Sequence, residues 1–237
     1  ININQAIDLI NSSSSFLFSG DIDPDSVGSM LSLSLYLNQL DKEVFIIIPE
    51  PLRGNLDFFE KIIQYNSIRI LRTPEEIDTV KNYIDMVIFC DTANTKLVPL
   101  YSQISNYILS KKPNVVEIDH HFGADSEELT DYGIKLFRNA NANTEIIGKV
   151  LELLYEKNPE STNPFSQHNI ILGLVTGILG DTVGGKVIHY KKDYDHWMQK
   201  LGDQLKNITR WRNANEKRKE DCRTSKFGDP TQILDHL

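Results

Sequence analysis

Short apolar runs that alternate with helical segments are the feature that most restricts how this chain can fold. Five such runs, rich in β-branched and aromatic residues, occur at residues 16–18, 44–48, 68–71, 86–90 and 115–118. They are mostly continuous rather than alternating, which is typical of strands buried on both faces. Helices are expected between them, at residues 26–40, 55–65, 74–83 and 97–109. This order predicts an α/β fold with a mainly parallel five-stranded sheet flanked by helices.

The pattern changes after residue 121. A short strand is expected at "IKLF", followed by helices near residues 144–155 and 167–179. From Tyr190 onward the chain is polar and charged, and the remaining apolar residues have helical spacing, at Trp197, Leu201, Leu205 and Ile208. We therefore expect a main domain over residues 1–190 and a polar helical C-terminal extension over residues 191–237.

The charge and the cysteine content restrict the class of function. The net charge of −8 argues against a general nucleic-acid coat protein and against a protein that binds anionic membranes. Enzymes for short nucleotides remain compatible with it, because bound cations supply local positive charge. Only Cys90 and Cys222 are present, which gives no zinc pattern and no disulfide framework. Two thiols far apart fit a reducing cytoplasm, so a cytoplasmic protein is expected. No apolar run reaches the roughly 20 residues of a membrane span, and the first residues do not resemble a signal peptide.

Acidic and imidazole side chains follow four separate elements. Their positions are Asp21, Asp23 and Asp25 after the first run, Asp91 after the fourth, Asp119, His120 and His121 after the fifth, and Asp181 after the apolar helix. Ligands of open parallel sheets bind beyond the carboxyl ends of the strands, so these side chains are expected to converge there. Such a cluster would repel itself unless hard cations neutralised it. Carboxylates mixed with imidazoles suit manganese, with magnesium, zinc or iron as rivals.

Each of these residues also has an ordinary structural explanation. Asp91 alone would more often be a turn former, and Asp25 would cap the helix that starts at residue 26. The two adjacent histidines would be unremarkable in a loop. Joint placement after successive elements is what favours a site over these explanations. Two cations about 3.5–4 Å apart form the usual clamp for displacement at phosphorus.

Four motifs together resemble the DHH phosphoesterase family. They are "DPDSVGS" from Asp23, "IFCDTAN" around Asp91, "VVEIDHHFGAD" around Asp119-His120-His121, and "GILGDT" around Asp181. The motifs stand in the family's order, and the resemblance covers roughly residues 10–190. "ANTEIIGKVLELL" is similar to the helix that follows the DHH loop in the small-nucleotide branch.

The resemblance implies a site for two manganese ions, with Mg²⁺ or Zn²⁺ as substitutes. It implies that Asp23 serves the first ion, that Asp25, His120 and Asp181 serve the second, and that Asp91 bridges the two. Asp119 would orient the neighbouring imidazole, and His121 would face the substrate phosphate. The nucleophile would be a water molecule activated by both metals. Ser29 and the backbone of Gly28, at a helix start, would help hold a phosphate.

Two departures from the family pattern affect this picture. Many members carry a histidine four residues before the first aspartate, where this chain has Ser19, while Asp21 lies two residues before Asp23. Asp21 therefore either acts as a further ligand or marks a site that lacks its histidine. Family enzymes also usually carry a smaller substrate-binding domain with a glycine-rich phosphate motif, and no such motif follows residue 190. The expectation is a DHH-type catalytic domain over residues 1–190, with 191–237 as a helical linker truncated before that second domain.

The resemblance implies a manganese-dependent phosphodiesterase or phosphatase for small nucleotides. Candidate substrates are cyclic or linear dinucleotides, very short RNA, and 3′-phosphoadenosine 5′-phosphate. Long nucleic acids are not expected as partners, because the chain lacks a basic track. One alternative is a catalytically weak, nucleotide-binding regulatory module, and another is a hydrolase similar to inorganic pyrophosphatase. No membrane partner is expected, and several small-nucleotide relatives are homodimers.

Overall fold

A six-stranded parallel sheet forms the centre of the protein. The computed structural model describes residues 3–123 and 126–224, with side chains described up to residue 208, Asn55 excepted. The strands are β1 Ser15–Gly20, β2 Glu43–Ile47, β3 Arg69–Leu71, β4 Met86–Cys90, β5 Asn114–Asp119 and β6 Ile134–Phe137. They lie in the order β3-β2-β1-β4-β5-β6, and every neighbouring pair is parallel. The predicted fold class is confirmed, but the expected five strands become six because "IKLF" pairs with β5.

Eight α-helices cover the two faces of this sheet within the described residues. They are α1 Ile3–Ser12, α2 Pro24–Gln39, α3 Asp57–Tyr65, α4 Pro74–Val80, α5 Tyr101–Tyr107, α6 Asn143–Lys157, α7 His168–Asp181 and α8 Lys191–Thr224. The sequence did not predict α1, and α5 begins four residues later than expected. Leu100, directly before α5, has a φ of 55°, so the chain turns there before the helix can start.

The two faces of the sheet form separate apolar layers. Phe16, Phe18 and Ile88 point to one face and pack with α1, α2, α3, α6 and α7. Leu17 and Phe89 point to the other face and pack with α4 and α5. Successive strand residues point to opposite faces, and both faces are covered, which accounts for the continuous apolar runs in the sequence.

Helix α2 is buried on all sides between the sheet and α7. Its residues from Asp25 to Leu37 are all buried. A Cβ atom on Gly28 would lie 2.5 Å from the backbone oxygen of Gly173 on α7, so only glycine permits this close approach. The approach brings the start of α2, where Asp25 lies, beside the end of α7, where Asp181 lies.

The start of α8 packs onto the main body of the protein. Trp197 and Leu201 are buried against it, and the ring of Trp197 lies where a Cβ on Gly148 of α6 would be. The predicted helical extension therefore begins in contact with the sheet-covering helices, and residues 225–237 of it lie outside the described part. No helix among the described residues is long and apolar enough to cross a membrane.

Candidate metal centre

The side chains of four different elements meet at the carboxyl edge of the sheet. Asp25 comes from the first turn of α2, Asp91 directly follows β4, His120 follows β5, and Asp181 ends α7. The order in which the chain adds strands reverses between β1 and β4. From β1 the chain adds β2 and β3 on one side, and it then adds β4, β5 and β6 on the other side. This is the switch point at which open α/β sheets bind ligands. The structure thus brings together these four predicted residues.

His120 lies at the centre of the cluster. Its Nε2 atom is 3.1 Å from Asp181 Oδ2, 3.2 Å from Asp91 Oδ1 and 3.7 Å from Asp25 Oδ2. The other ring nitrogen, Nδ1, is 3.3 Å from the carbonyl oxygen of Ala140. A proton on Nδ1 would be donated to that carbonyl, leaving the Nε2 lone pair directed at the carboxylates. Backbone carbonyls orient metal-binding histidines in this way.

Asp25 is held in place by the first residues of α6. Its Oδ2 accepts from the backbone N–H of Asn143 at 2.5 Å, and its Oδ1 accepts from the backbone N–H and the hydroxyl of Thr144, at 2.9 and 2.8 Å. A helix N-terminus favours a negative charge at this position. A Cβ atom on Gly177 of α7 would lie 2.5 Å from Thr144 Cγ2 and still closer to Asp25 Oδ1. Glycine at 177 therefore leaves the room that the Asp25 carboxylate occupies.

Asp91 adopts a strained backbone conformation. Its φ of 52° is in the left-handed region, which costs energy for a residue with a Cβ atom. Its N–H donates to the carbonyl of Ile118 on the neighbouring strand at 2.9 Å. When the Asn143 amide is oriented so that both of its ends are paired, its nitrogen donates to the Ile118 carbonyl and its oxygen accepts from the Asp91 N–H. These contacts hold the strained turn that directs the Asp91 carboxylate at His120.

The electrostatics of the cluster are those of crowded, buried charges. Burial raises the pKa of Asp25 well above its ordinary value, and the charges of Asp91 and Asp181 add to the rise. Burial, together with Asp23 and Asp181, raises the pKa of Asp91 to about 6, although His120 opposes the shift. Burial lowers the pKa of His120, but its close contacts with the carboxylates of Asp181 and Asp91 outweigh that effect and raise the pKa to about 11. Without a cation, a proton on His120 thus balances part of the negative charge.

The second histidine is paired with Asp119. Asp119 is buried, and its Oδ1 lies 2.7 Å from His121 Nδ1. This hydrogen bond is the main cause of the raised pKa of His121. The imidazole that Asp119 orients is that of His121, whose side chain is 43% exposed at the mouth of the cluster. His121 Nδ1 also lies 3.7 Å from Asp91 Oδ1.

Asp21 and Asp23 lie beside the cluster rather than within it. Asp23 caps α2, its Oδ1 accepting from Ser26 N–H at 2.8 Å, and Asp21 accepts from the N–H of Ile22. Burial raises the pKa of Asp23, with contributions from Asp181 and Asp21 that show its proximity to both. Among the described residues, the groups able to surround a cation contain neither of these two aspartates.

The expected phosphate contacts at Ser29 and Gly28 do not fit the structure. The side chain of Ser29 is completely buried and lies 3.0 Å from the amide of Asn143. Gly28 faces the backbone of Gly173 in the contact between α2 and α7. Because α2 is buried from Asp25 onward, neither residue presents an accessible donor to a phosphate.

The residues that are present fit a divalent cation. The described residues include two overlapping groups whose ligand atoms all lie within 4.8 Å of one another: Asp25, His120 and Asp181, and Asp91, His120 and His121. Asp91 Oδ1 and His120 Nε2 are buried and make no hydrogen bond of good geometry. Buried polar atoms normally have partners, so this pair of atoms indicates a missing one. Carboxylate oxygens with one or two imidazoles are a donor set typical of manganese, zinc or iron sites.

Sequence reasoning missed the residues that support this centre from α6 and α7. Asn143, Thr144 and Gly177 lie more than 100 residues from Asp25 along the chain, but contact it or its neighbours directly. The "NANTE" segment carried a usable signal, because Asn and Thr at a helix start commonly offer hydrogen bonds. The segment did not indicate that the first turn of α6 would donate hydrogen bonds to the Asp25 side chain on α2.

Comparisons with known proteins agree with this architecture. The family model described as DHH family, N-terminal domain, matches residues 15–178. Among solved structures, an exopolyphosphatase-related protein from Bacteroides fragilis is similar, with a TM-score of 0.64 and 18% sequence identity. The match covers 88% of this chain but only 58% of that protein's chain. At this identity the likeness shows the fold alone. No curated protein matches the sequence.

Proposed function

The chain belongs to the DHH family, and on that basis we propose that it is a metal-dependent phosphoesterase that hydrolyses small nucleotides. One observation carries this proposal. Asp91 Oδ1 and His120 Nε2, both buried and without hydrogen-bond partners, lie 3.2 Å apart between the carboxylates of Asp25 and Asp181. A purely structural cluster would pair such atoms with donors.

The four residues of the cluster would hold the cation, with manganese as the first candidate. Asp25, His120 and Asp181 would bind one ion, and Asp91 would bridge to a second ion near Asp23. Asp21 lies on the same side and would add negative charge there. Divalent cations at these positions polarise a phosphoryl group and acidify water. Asn143 and Thr144 keep the Asp25 carboxylate from rotating, which holds the ligand geometry.

His121 would act on the substrate rather than on the cation. Asp119 accepts a hydrogen bond from Nδ1–H of His121 and raises the pKa of the ring, so His121 carries a proton on both nitrogens more readily than a free histidine. The exposed Nε2–H would then donate to a phosphate oxygen or to the departing oxygen of the ester. A positioned imidazole of this kind typically contributes about 10²–10⁴ to the rate.

A substrate panel with manganese tests the proposal. It would contain a cyclic dinucleotide, a linear dinucleotide, a short oligoribonucleotide, 3′-phosphoadenosine 5′-phosphate and inorganic polyphosphate, with products separated by chromatography. We expect manganese-dependent hydrolysis of at least one nucleotide, and its loss in His121→Ala. His168→Ala, an exposed histidine at the opposite end of α7, is the matched control. No manganese-dependent turnover of any phosphoester would refute the proposal.

A second candidate is a nucleotide-binding module with weak catalysis. The observation in its favour is at the first metal position, where Ser19 stands in place of the family histidine. Ser19 is completely buried, and its hydroxyl has no hydrogen-bond partner. With Asp21 and Asp23 outside the assembled groups, this position would bind its ion weakly. Calorimetry separates the two candidates: two manganese ions per chain favour the enzyme, and one ion with nucleotide binding but no turnover favours the module.

A further inference from the structure

A largely apolar cavity lies at the carboxyl edge of the sheet, beyond the ends of β1, β2 and β4. Its volume is about 440 Å³, which is within the usual range for small-molecule pockets. Its walls come from three segments, which contribute Ile22, then Pro49, Glu50, Pro51, Leu52, Arg53 and Leu56, and finally Pro99. None of these residues belongs to the metal cluster.

The topology of the sheet places this cavity at the same edge of the sheet as the metal cluster. Its three wall segments follow β1, β2 and β4, and these strands are direct neighbours in the order β2-β1-β4. Because the strands are parallel, the three segments leave the same edge that carries Asp25 and Asp91. Ile22 is the wall residue nearest to the acidic residues in the chain, since it lies between Asp21 and Asp23.

The walls are suited to a flat apolar ring. Three of them are prolines, whose rings restrict the backbone, so the cavity is formed before a ligand arrives. Ile22 remains 37% exposed although it is a large apolar residue. Burying such surface against a ligand is favourable, and a cavity that is already formed costs little entropy to fill.

Arg53 adds a positive charge at the rim of the cavity. The side chain is 84% exposed and is 4.0 Å from the equally exposed Glu50, a spacing at which an ion pair contributes little. The chain carries a net charge of −8, and the neighbouring Asp21–Asp25 strip is acidic. An arginine here has the shape and charge to contact a phosphate oxygen.

We infer that this cavity binds the base of a nucleotide whose phosphate lies at the metal cluster, with Arg53 contacting that nucleotide's phosphate. The inference rests on the proposed function and specifies it further. It separates nucleotides from inorganic polyphosphate, which has no ring to place against the proline walls. Ile22 then determines specificity by covering one face of the base.

Binding of adenosine 5′-monophosphate and of ribose 5-phosphate tests the inference, because the second ligand has an anomeric hydroxyl in place of the base and is otherwise the same. Both are titrated into the full chain by calorimetry with manganese present, and chromatography checks that they stay intact. We expect the wild type to bind the nucleotide at least about tenfold more tightly. Equal affinities for the two ligands would overturn the inference, whatever the hydrolysis assays show.

Three variants assign the preference to the cavity. Ile22→Ser should reduce the preference for the nucleotide by about tenfold, since it removes the apolar wall. Pro51→Ser, farther from the acidic strip, should reduce it in the same direction. Leu97→Ser is the matched control, because Leu97 is 41% exposed, follows β4 and does not line the cavity. A control that loses as much preference as Ile22→Ser would contradict the assignment.

The base cavity and the proposed function are refuted by different results. A wild type that prefers the nucleotide but hydrolyses no phosphoester refutes the enzyme and leaves the base cavity supported. A wild type that hydrolyses a nucleotide with manganese, but binds adenosine 5′-monophosphate no more tightly than ribose 5-phosphate, refutes the base cavity and leaves the phosphoesterase supported.

Discussion

Replacing Gly177 with alanine should displace the Asp25 carboxylate and so weaken the metal centre. The new Cβ would lie 2.5 Å from Thr144 Cγ2 and closer still to Asp25 Oδ1, distances that real Cβ atoms do not show. Relieving such overpacking costs about 1–3 kcal/mol, and weakening the hydrogen bonds between Thr144 and the buried carboxylate costs about 1–3 kcal/mol more. Alanine regains about 1 kcal/mol as the better helix former. The free energy of unfolding should therefore fall by about 3 kcal/mol.

Urea unfolding measures this change, and a second glycine provides the control. Gly202 on α8 has no atom within 4 Å of its Cβ position, so Gly202→Ala should raise the free energy of unfolding by about 0.5–1 kcal/mol. Manganese affinity should fall in Gly177→Ala and stay unchanged in Gly202→Ala. If Gly177→Ala keeps wild-type stability and wild-type manganese affinity, the argument that Gly177 makes room for Asp25 is wrong.

Three further predictions concern the cation and the orientation of His121. Manganese should raise the melting temperature, since a ligand at 100 times its Kd adds about 2.7 kcal/mol; no shift at millimolar manganese in a thermal melt would count against the site. Manganese binding should release a proton, because His120 has a pKa of about 11 without a cation and must give up its Nε2 proton to become a ligand. Affinity should therefore rise with pH, and calorimetric heats should differ between buffers of different ionisation enthalpy; equal heats would contradict this. Asp119→Asn should lower kcat more than manganese affinity, because Asp119 orients His121 and belongs to neither group of candidate cation ligands; equal losses in kinetics and calorimetry would oppose that role.

The positions of the strands were accessible to sequence reasoning, because burial on both faces leaves continuous apolar runs. The run "MVIFC" is apolar at every position and forms β4 with the predicted bounds, Met86–Cys90. Asp91 could be placed at the carboxyl edge for the same reason, since it follows that run at once. Helix α1 was missed although Ile3, Ala6, Ile7 and Ile10 have the i, i+3, i+4, i+7 spacing of an amphipathic helix, and the last three are buried.

The supporting contacts of the site could not be read from local sequence. Ser32 and Ser34 of "SVGSMLSLSLYL" donate their hydroxyl protons to backbone carbonyls inside the packed helix. This internal bonding lets a polar sequence be completely buried. The contact between Asp25 and α6 likewise depends on how two distant helices pack, for which a single sequence carries no pattern.

Hydrolysis of bis(p-nitrophenyl) phosphate by wild type and Asp91→Asn is the measurement that tests the central claim most directly. Loss of a partner that only supports a ligand costs about 10–100-fold, so loss of the shared ligand Asp91 should cost more than about 100-fold. The wild type should turn over only with manganese and stop when a chelator is added, and His168→Ala should behave as wild type. Turnover by Asp91→Asn close to that of the wild type would contradict a metal-dependent site at this cluster.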